Sequence, residues 1–254
     1  MVKPLVVLCL VPATALAEHH HHGMVTGQAE QGSSFAAGLS LVAAEYDTME
    51  YGGDYQGLVP NVRWSHGRFG VAANVGVYRL EKNGLELRGV GDAVVHGQAN
   101  VVTRGKATAG VALAVSAPTG NQQQGLGMGH PMVMPAAYGK WASGGGSVDA
   151  SIGYGRAIAG SDTHAGHGSG ALVEPMNFSE MTFTASGELV LAKQLHAGAR
   201  LSGAVPIGDG ASRMIGGVRV LWIEGRVDTA FEIQAGLAGD PFTLRGVLET
   251  ALRF

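Results

Sequence analysis

Charged side chains recur at alternate positions in the last segments of the chain, which places them on one face of a β-strand. Asp228 and Glu232 alternate with apolar residues in the segment that begins at Val227, and Arg245 and Glu249 do so in the final segment. Opposite charges on neighbouring strands can pair across a sheet. Apolar residues occupy the opposite face of both segments, so the pattern predicts strands that separate lipid from a polar interior.

The same alternation in earlier segments gives a set of inward side chains. We predict that this set lines a narrow conduit and that its charged members determine selectivity: Arg63, Arg200, Arg219, Asp228, Glu232, Arg245 and Glu249, with Asn61, Asn74 and Glu188 beside them. The segment of Arg219 fits less well, because Leu221 and Ile223 share its face. We expect that part of the inner wall to be covered.

Histidines form two groups that could bind a transition metal, since imidazole suits Cu, Ni and Zn. The first group is His19, His20, His21 and His22, and the second is His164 and His167. Cleavage after Ala17 would leave a free amine that, with two backbone nitrogens and His20, forms the square-planar set favoured by Cu(II) and Ni(II). A solvated tail and ordinary packing at the rim are the respective alternatives.

A further stretch combines thioether and imidazole groups at Met128, His130, Met132 and Met134. Such ligands also suit a transition metal. Because the stretch is expected to be a loop at the rim of the barrel, packing of these side chains is the alternative to metal binding.

No residue pattern indicates catalysis. The Gly-x-Ser-x-Gly turn of many hydrolases is absent, and Cys9 is the single cysteine of the sequence. The best candidates for an enzymatic site are Ser161, Asp162, His164 and His167, which lie in a glycine-rich stretch unsuited to holding a fixed geometry. We predict that the protein is not an enzyme.

The first residues have the features of an export signal. A basic residue at Lys3, an apolar run from Leu5 to Val11 and small residues at Ala15 and Ala17 predict cleavage after Ala17. Cys9 lies in this signal, so the exported chain is expected to contain no thiol. No later apolar run approaches the roughly 18 residues that a membrane-spanning helix needs.

Composition narrows the fold class. The 41 glycines lack the three-residue period of collagen, and 46% hydrophobic residues exceed what a disordered chain carries. Glycine in a helix interior costs about 1 kcal/mol relative to alanine, which disfavours a helical bundle. A formal charge of −3 gives no reason to expect a nucleic-acid partner.

Alternating segments continue through most of the chain and predict an all-β fold: a transmembrane antiparallel barrel of about twelve strands in an up-and-down meander. The expected strands are Ser34–Asp47, Tyr55–Ser65, Phe69–Glu81, Gly89–Thr103, Lys106–Ser116, Ala136–Ser143, Ser147–Ala157, Met181–Gln194, His196–Pro206, Ser212–Glu224, Val227–Leu237 and Phe242–Phe254. Twelve strands give an interior between the filled core of small barrels and the open channel of large ones.

The connections between these segments alternate in length, as expected where short periplasmic turns alternate with longer external loops. Tight turns are expected at 66–68, 104–106, 143–146, 193–196 and 224–226. External loops are expected at 48–54, 82–88, 117–135 and 158–180, followed by a short one near 239–241. The two longest external loops are consecutive.

Aromatic residues support a membrane location. Trp64, Tyr78, Tyr154, Phe183, Trp222 and Phe231 lie near segment ends or on expected lipid faces, as in the aromatic girdles of outer-membrane barrels. The chain ends at Phe254, and a terminal strand with a last aromatic residue resembles the signal recognised by the barrel-assembly machinery. A soluble β-sandwich that ends in Phe by chance is the alternative.

Two short motifs resemble the transporter family named for the meta-pathway of phenol degradation. They are Gly89-Val90-Gly91-Asp92 at the start of one segment and Pro118-Thr119-Gly120, followed by Asn121, before a glycine-rich loop. The resemblance covers about the central third of the chain and implies an outer-membrane channel for small, often hydrophobic molecules. A plain turn at the external rim is the alternative interpretation of Pro118 to Asn121.

The sequence therefore predicts a signal over 1–17, a His-rich periplasmic tail over 18–33 and an outer-membrane barrel over 34–254. We expect a passive, porin-like channel of the Gram-negative outer membrane for small, hydrophobic solutes, with the external loops controlling access. Its partners would be outer-membrane lipid, the assembly machinery and the solute. The alternatives are a barrel that binds or helps export Cu, Ni or Zn, and a structural barrel that anchors a complex.

Overall fold

A computed structural model describes residues 33–47, 52–158, 171–239 and 242–254. The strands are β1 Ser33–Asp47, β2 Gly52–His66, β3 Phe69–Asn74, β4 Val77–Lys82, β5 Leu85–Val90, β6 Ala93–Arg104, β7 Ala107–Ala117, β8 Met132–Ser143, β9 Gly146–Ala157, β10 Ser179–Val190, β11 Leu195–Pro206, β12 Arg213–Glu224, β13 Val227–Ala238 and β14 Phe242–Arg253. A short 3₁₀ helix, η1, covers Gln122–Gln124. Within these ranges no helix is long and apolar enough to cross a bilayer.

The sheet closes on itself. Each strand pairs with its neighbour in antiparallel order, and β1 pairs with both β2 and β14. β3 and β4 form two halves of one wall strand, as do β5 and β6, so the wall has twelve strands. Closure pairs the first and last strands with each other, and among the described strands β5 keeps one unpaired edge, since its strand partner is β4. The predicted twelve-stranded up-and-down barrel is confirmed.

Side chains alternate between the two faces of the wall. On β1, Leu39 and Leu41 are exposed on the outside, whereas Val42 and Ala44 are buried in the interior. Exposed apolar residues recur on the outer face of every wall strand. Exposure of so large an apolar surface to water is unfavourable, so this outer face has the character of a lipid contact surface.

The two ends of the barrel differ. Short connections at 67–68, 105–106, 144–145, 191–194 and 225–226 lie at one end, which also holds the start of β1 and the end of β14. We call it the turn end. The opposite loop end holds the connection 118–131 and the described residues, 158 and 171–178, of the next long connection.

The prediction of an external loop over residues 82–88 is wrong. β4 and β5 extend to a tight hairpin turn in which Asn83 and Gly84 have φ angles of 51° and 79°. Two successive residues with positive φ make the turn whose twist matches a hairpin, and Asn-Gly is the favoured pair. Leu85 and Leu87 alternate with Glu86 and Arg88, which is a strand pattern, but the two charged residues make the segment resemble a loop.

Two strand boundaries also differ from expectation. β8 begins at Met132 rather than Ala136, because Pro135 is accommodated within the strand, where its pairing with β9 is interrupted. β10 ends at Val190, and Leu191 and Ala192 donate backbone hydrogen bonds to the Leu195 carbonyl in a turn.

Two aromatic residues point into the lumen: Phe242, which alternation places on the face opposite Arg245, and Tyr78, which was expected near a segment end or on the lipid face. The ladder between β1 and β14 shifts register between Glu45 and Tyr46, so Thr243 is an extra residue and Phe242 turns into the lumen. Tyr78 has the same phase as inward Asn74 and is 5% exposed. By contrast, Trp64, Phe183, Trp222 and Phe231 are exposed on the outer face, as expected.

Candidate functional site

The predicted selectivity residues all face the lumen. Arg63, Asp228, Glu232, Arg245 and Glu249 are buried, while Arg200 and Arg219 are half-buried. Asn61 and Asn74 are buried beside them. They come mostly from β11 to β14 and occupy the middle and the turn end of the barrel. We call this set the polar layer.

Ion pairs cross the polar layer. An Arg200 terminal nitrogen lies 2.6 Å from Glu232 Oε1, although β11 and β13 are separated by β12. Gly217 of β12 makes this possible, because a Cβ there would lie 2.8 Å from the same Glu232 oxygen. Arg63 lies 3.8 Å from Glu249. Each pair reaches over one intervening strand along the inner wall, so these side chains occupy part of the lumen and narrow it.

A chain of hydrogen bonds extends the pairing toward the loop end. Gln234 donates to Glu232 Oε1 at 2.8 Å, and Arg245 donates to the Gln234 side-chain oxygen at 2.5 Å. Arg245 also reaches the Tyr55 hydroxyl at 3.4 Å, and its guanidinium carbon lies 4.4 Å from the centre of the Phe242 ring. This network fixes Arg245 at the boundary between polar and apolar parts of the lumen.

Arg219 differs from the other lumen arginines. It lies opposite Glu232 in the β12–β13 ladder, but that carboxylate is bound by Arg200 and Gln234. Its Nε and one terminal nitrogen have no hydrogen-bond partner among the residues that the structure describes. Buried donors require water or a ligand when no protein group satisfies them, so Arg219 marks a point of the lumen that must hold water or solute.

The loop end of the lumen is apolar. Tyr46, Tyr55, Tyr78 and Leu80 of the wall pack with Leu126, Leu172 and Val173, which come from the two long connections. Leu126 is 2% exposed and Leu172 is 1% exposed. The two connections therefore fold into the barrel over residues 118–131 and 171–178, which we call the plug.

The two parts of the plug bind one another. Leu172 donates a backbone hydrogen bond to the Gly125 carbonyl at 2.8 Å, and Val173 donates to the same oxygen at 3.4 Å. Asn121 accepts from the Gln124 backbone at 3.3 Å and so caps η1. These contacts make the plug one folded unit.

Asp92 anchors the plug to the wall. Its two carboxylate oxygens accept hydrogen bonds from the Gly120 and Met128 backbone nitrogens, both at 2.8 Å. The Thr119 hydroxyl donates to the Gly91 carbonyl and accepts from the Ala93 backbone nitrogen, each at 2.8 Å. The residues predicted to form the rim at Pro118 to Asn121 thus join the Gly-x-Gly-Asp motif at a single junction.

Glycines provide the space for this junction. A Cβ at Gly89 would lie 2.7 Å from Leu126 Cδ1, and one at Gly127 would lie 2.5 Å from Asp92 Oδ1. At Gly91 a Cβ would lie 2.6 Å from the Tyr78 ring. The Gly-x-Gly-Asp motif contains two glycines because Leu126 of the plug and the Tyr78 ring pack directly on the backbone of the wall.

A second anchor holds the later part of the plug. The Glu180 carboxylate accepts hydrogen bonds from the Asn177 backbone and side chain and from Arg213, with Arg213 at 2.8 Å from Oε2. Asn177 also exchanges hydrogen bonds with the Ala211 backbone. Glu180 and Arg213 are both buried, and they connect the plug to the 207–212 connection.

Sequence reasoning identified the polar layer but missed both anchors. Asp92 belongs to the Gly-x-Gly-Asp motif, but the sequence assigned it no role. A carboxylate beside glycine-rich stretches was the one sign that it could bind backbone nitrogens. Glu180 lay within an expected loop, so alternation gave no phase for it. Arg213 is the first residue of β12, where too few residues alternate to show which face a side chain occupies.

The predicted metal ligands lie largely outside the described residues. This applies to His19, His20, His21, His22, His164 and His167, whose metal binding stays a prediction. In the described part of the chain no three His, Cys, Asp or Glu side chains group as metal ligands. Met128, Met132 and Met134 are buried in the lumen rather than placed at the rim.

Comparison with solved structures places the fold among outer-membrane channels. The COG4313 outer membrane channel from Pseudomonas putida F1 has a TM-score of 0.67 and 14% identity, covering 89% of this chain and 97% of that one. The NanC porin has a TM-score of 0.57 and 6% identity over 84% and 98% of the two chains. The KdgM porin has 0.55 and 9% identity over 85% and 99%.

No protein-family model and no curated protein sequence matches this chain. At these identities the structural likeness establishes the architecture alone: a closed antiparallel β-barrel.

Proposed function

We propose that this protein is a passive outer-membrane channel for small, hydrophobic solutes, exported with a signal over residues 1–17. The observation that carries the proposal is the plug: residues of two consecutive long connections pack inside the loop end of the lumen. A barrel that served only as an anchor would have no need of a separately folded plug with its own buried anchors. The solved relatives named as channels and porins support transport over catalysis.

The lining supports an apolar solute. Tyr55, Tyr78, Leu80 and Phe242 line the loop end and contact the plug, so displacement of the plug would expose an aromatic and aliphatic chamber. Ligand sites with predominantly apolar walls and few polar groups favour apolar molecules. The contact between the Gly-x-Gly-Asp and Pro-Thr-Gly motifs further supports membership of the phenol-degradation transporter family.

The polar layer controls what passes beyond the chamber. We expect wild-type protein in planar bilayers to give small currents whose ion preference depends on Arg219 and Glu232. Arg219→Gln removes an unpaired cation and should shift the permeability ratio toward cations. Glu232→Gln releases the charge of Arg200 and should shift it toward anions.

The reversal potential in a salt gradient measures both shifts. Arg68→Gln is the control, because Arg68 lies in a turn at the rim with its charge over the Phe69 ring and outside the polar layer. Unchanged reversal potentials in both lumen variants would remove the polar layer from the pathway, and absence of any current would contradict conduction by the wild-type barrel.

We propose that Phe254 directs assembly of the barrel. Its backbone nitrogen donates to the Phe35 carbonyl at 2.8 Å, its ring lies 5.8 Å from the Phe35 ring, and its side chain is 65% exposed. An exposed terminal ring with few contacts contributes little to folding energy. Deletion of Phe254 should therefore lower the amount of assembled barrel several-fold while leaving the unfolding temperature of the assembled fraction unchanged.

Membrane fractionation followed by gel migration before and after boiling measures assembly. Phe35→Ala serves as the matched control, since it removes the same ring contact and keeps the terminal residue. If this control impairs assembly as much as the deletion does, the ring contact and not the terminal signal is responsible.

A further inference from the structure

Four methionines form one buried group where the plug meets the wall. Met128 and Met176 come from the two parts of the plug, and Met132 and Met134 occupy inward positions at the start of β8. Their exposures are 1%, 2%, 0% and 1%, in that order. They pack with small residues at Ala114, Ala157 and Ala171. The sequence suggested three of the four, and only the fold brings Met176 to them.

The wall leaves room at the centre of this group. A Cβ at Gly155 of β9 would lie 3.5 Å from Met134 Cγ and 3.6 Å from Met176 Cε. The two methionines and Glu180, whose Cγ would lie 3.4 Å from that Cβ, therefore approach the same point over a position without a side chain. Met128 is held close by through its backbone bond to Asp92, so methionines from three separate segments meet at one place.

The chemistry of this group selects a particular class of ion. Thioether sulfur is a soft, neutral ligand that favours Cu(I), whereas Zn(II) and Cu(II) favour imidazole, thiolate or carboxylate. The Glu180 carboxylate is already bound by Arg213 and Asn177, and the Asp92 carboxylate is bound by the Gly120 and Met128 backbone nitrogens. A site without a free anion disfavours a divalent ion, because each buried charge must be compensated.

We propose that Met128, Met132, Met134 and Met176 form a binding site for a soft monovalent cation of the Cu(I) type. The ion would join both parts of the plug to β8. Methionine also serves as adaptable apolar filler, and that role requires no affinity for a metal. The two roles make opposite predictions in a titration.

Silver(I) is the probe, since it is a soft monovalent cation that is stable in air. Mature protein labelled with ¹³C at the methionine methyl groups is folded in detergent and titrated with silver nitrate in chloride-free buffer. We use a background in which His19 to His22 are replaced by Ala, so that the tail does not compete. One silver ion per chain should bind and shift the four methyl signals, while Met181, which is exposed on the outer face, stays unchanged.

Leucine substitutions then separate ligation from packing, because Leu and Met have similar volumes. Substitution of a residue that only orients the ligands of a metal site weakens metal binding by about 10- to 100-fold. The double variant Met134→Leu with Met176→Leu removes two ligands, so it should weaken silver binding at least as much. Met181→Leu is the matched control and should bind as the background does. Gel migration before and after boiling verifies that each variant is folded.

The proposal is overturned if silver fails to saturate, if the four signals do not shift together, or if the double variant binds like the control. None of these measurements depends on transport, so they are independent of the proposed channel function.

Discussion

Replacement of Asp92 by alanine should open the channel, raising the fraction of time that it conducts in planar bilayers. The buried carboxylate holds Gly120 and Met128, which lie near the two ends of the first part of the plug, by hydrogen bonds of 2.8 Å. Hydrogen bonds to a charged group contribute about 1.5–3 kcal/mol each, so losing two should shift the balance between seated and released plug by a factor of about 100 or more.

The series of substitutions at this position gives a graded test. Alanine leaves both backbone donors without a partner as long as the plug stays seated, which favours release. Asparagine retains one side-chain oxygen and can satisfy only one donor as before. We therefore expect Asp92→Asn to conduct more than wild type and less than Asp92→Ala.

Asp54→Ala is the control for loss of an acidic residue near the loop end. Asp54 lies on the outer face of β2 and pairs with Arg79 at 3.1 Å, away from the plug. Its removal should leave the currents unchanged. Equal conduction by wild type and Asp92→Ala, with both barrels folded, would show that this anchor does not hold the passage closed.

The sequence predicts the wall of this protein better than its interior, because the wall has a local signal. Inward and outward residues alternate with a period of two along every strand, so the phase of Glu232 or Arg245 follows from its immediate neighbours. The exceptions arise where that period is broken. Thr243 adds one residue to β14, and this reverses the face on which Phe242 lies.

Partners in the lumen cannot be deduced from alternation. Arg219 and Glu232 face one another on adjacent strands, and the simple expectation is that they pair. Glu232 instead binds Arg200 from beyond β12, since Gly217 leaves the intervening space empty. The outcome depends on the width of the lumen, and the sequence holds no local record of that width.

The plug has no sequence signal of its own for a similar reason. Met128 and Asp92 are separated by 36 positions, and Gly120 and Asp92 by 28. Loop residues such as Leu126 and Leu172 are apolar but lack a periodic pattern, so they resemble ordinary parts of a rim loop. The short motifs around Gly91 and Thr119 form the contact, but nothing in the sequence indicated that they meet.

A disulfide between the plug and the wall should close the channel again in the Asp92→Ala background. A Cβ at Gly89 would lie 2.7 Å from Leu126 Cδ1, so cysteines at positions 89 and 126 can approach the Cβ separation of about 3.5–4.5 Å that a disulfide needs. Cys9 is the only native cysteine and lies within the expected signal, so no other thiol competes in the mature chain. Oxidation of the triple variant (Asp92→Ala, Gly89→Cys, Leu126→Cys) should reduce the conduction of this protein to the wild-type level, and a reductant should restore the open currents.

Reversibility is what separates a moving plug from a damaged barrel. The single variants Gly89→Cys and Leu126→Cys, each in the Asp92→Ala background, show whether cysteine at either position alters the current without a bond. They should conduct equally in oxidant and in reductant. Mass spectrometry of the double-cysteine protein determines the fraction that carries the disulfide. If a fully oxidised sample conducts as freely as the reduced one, the plug contact at Gly89 is not the barrier, and closure must lie in the polar layer below it.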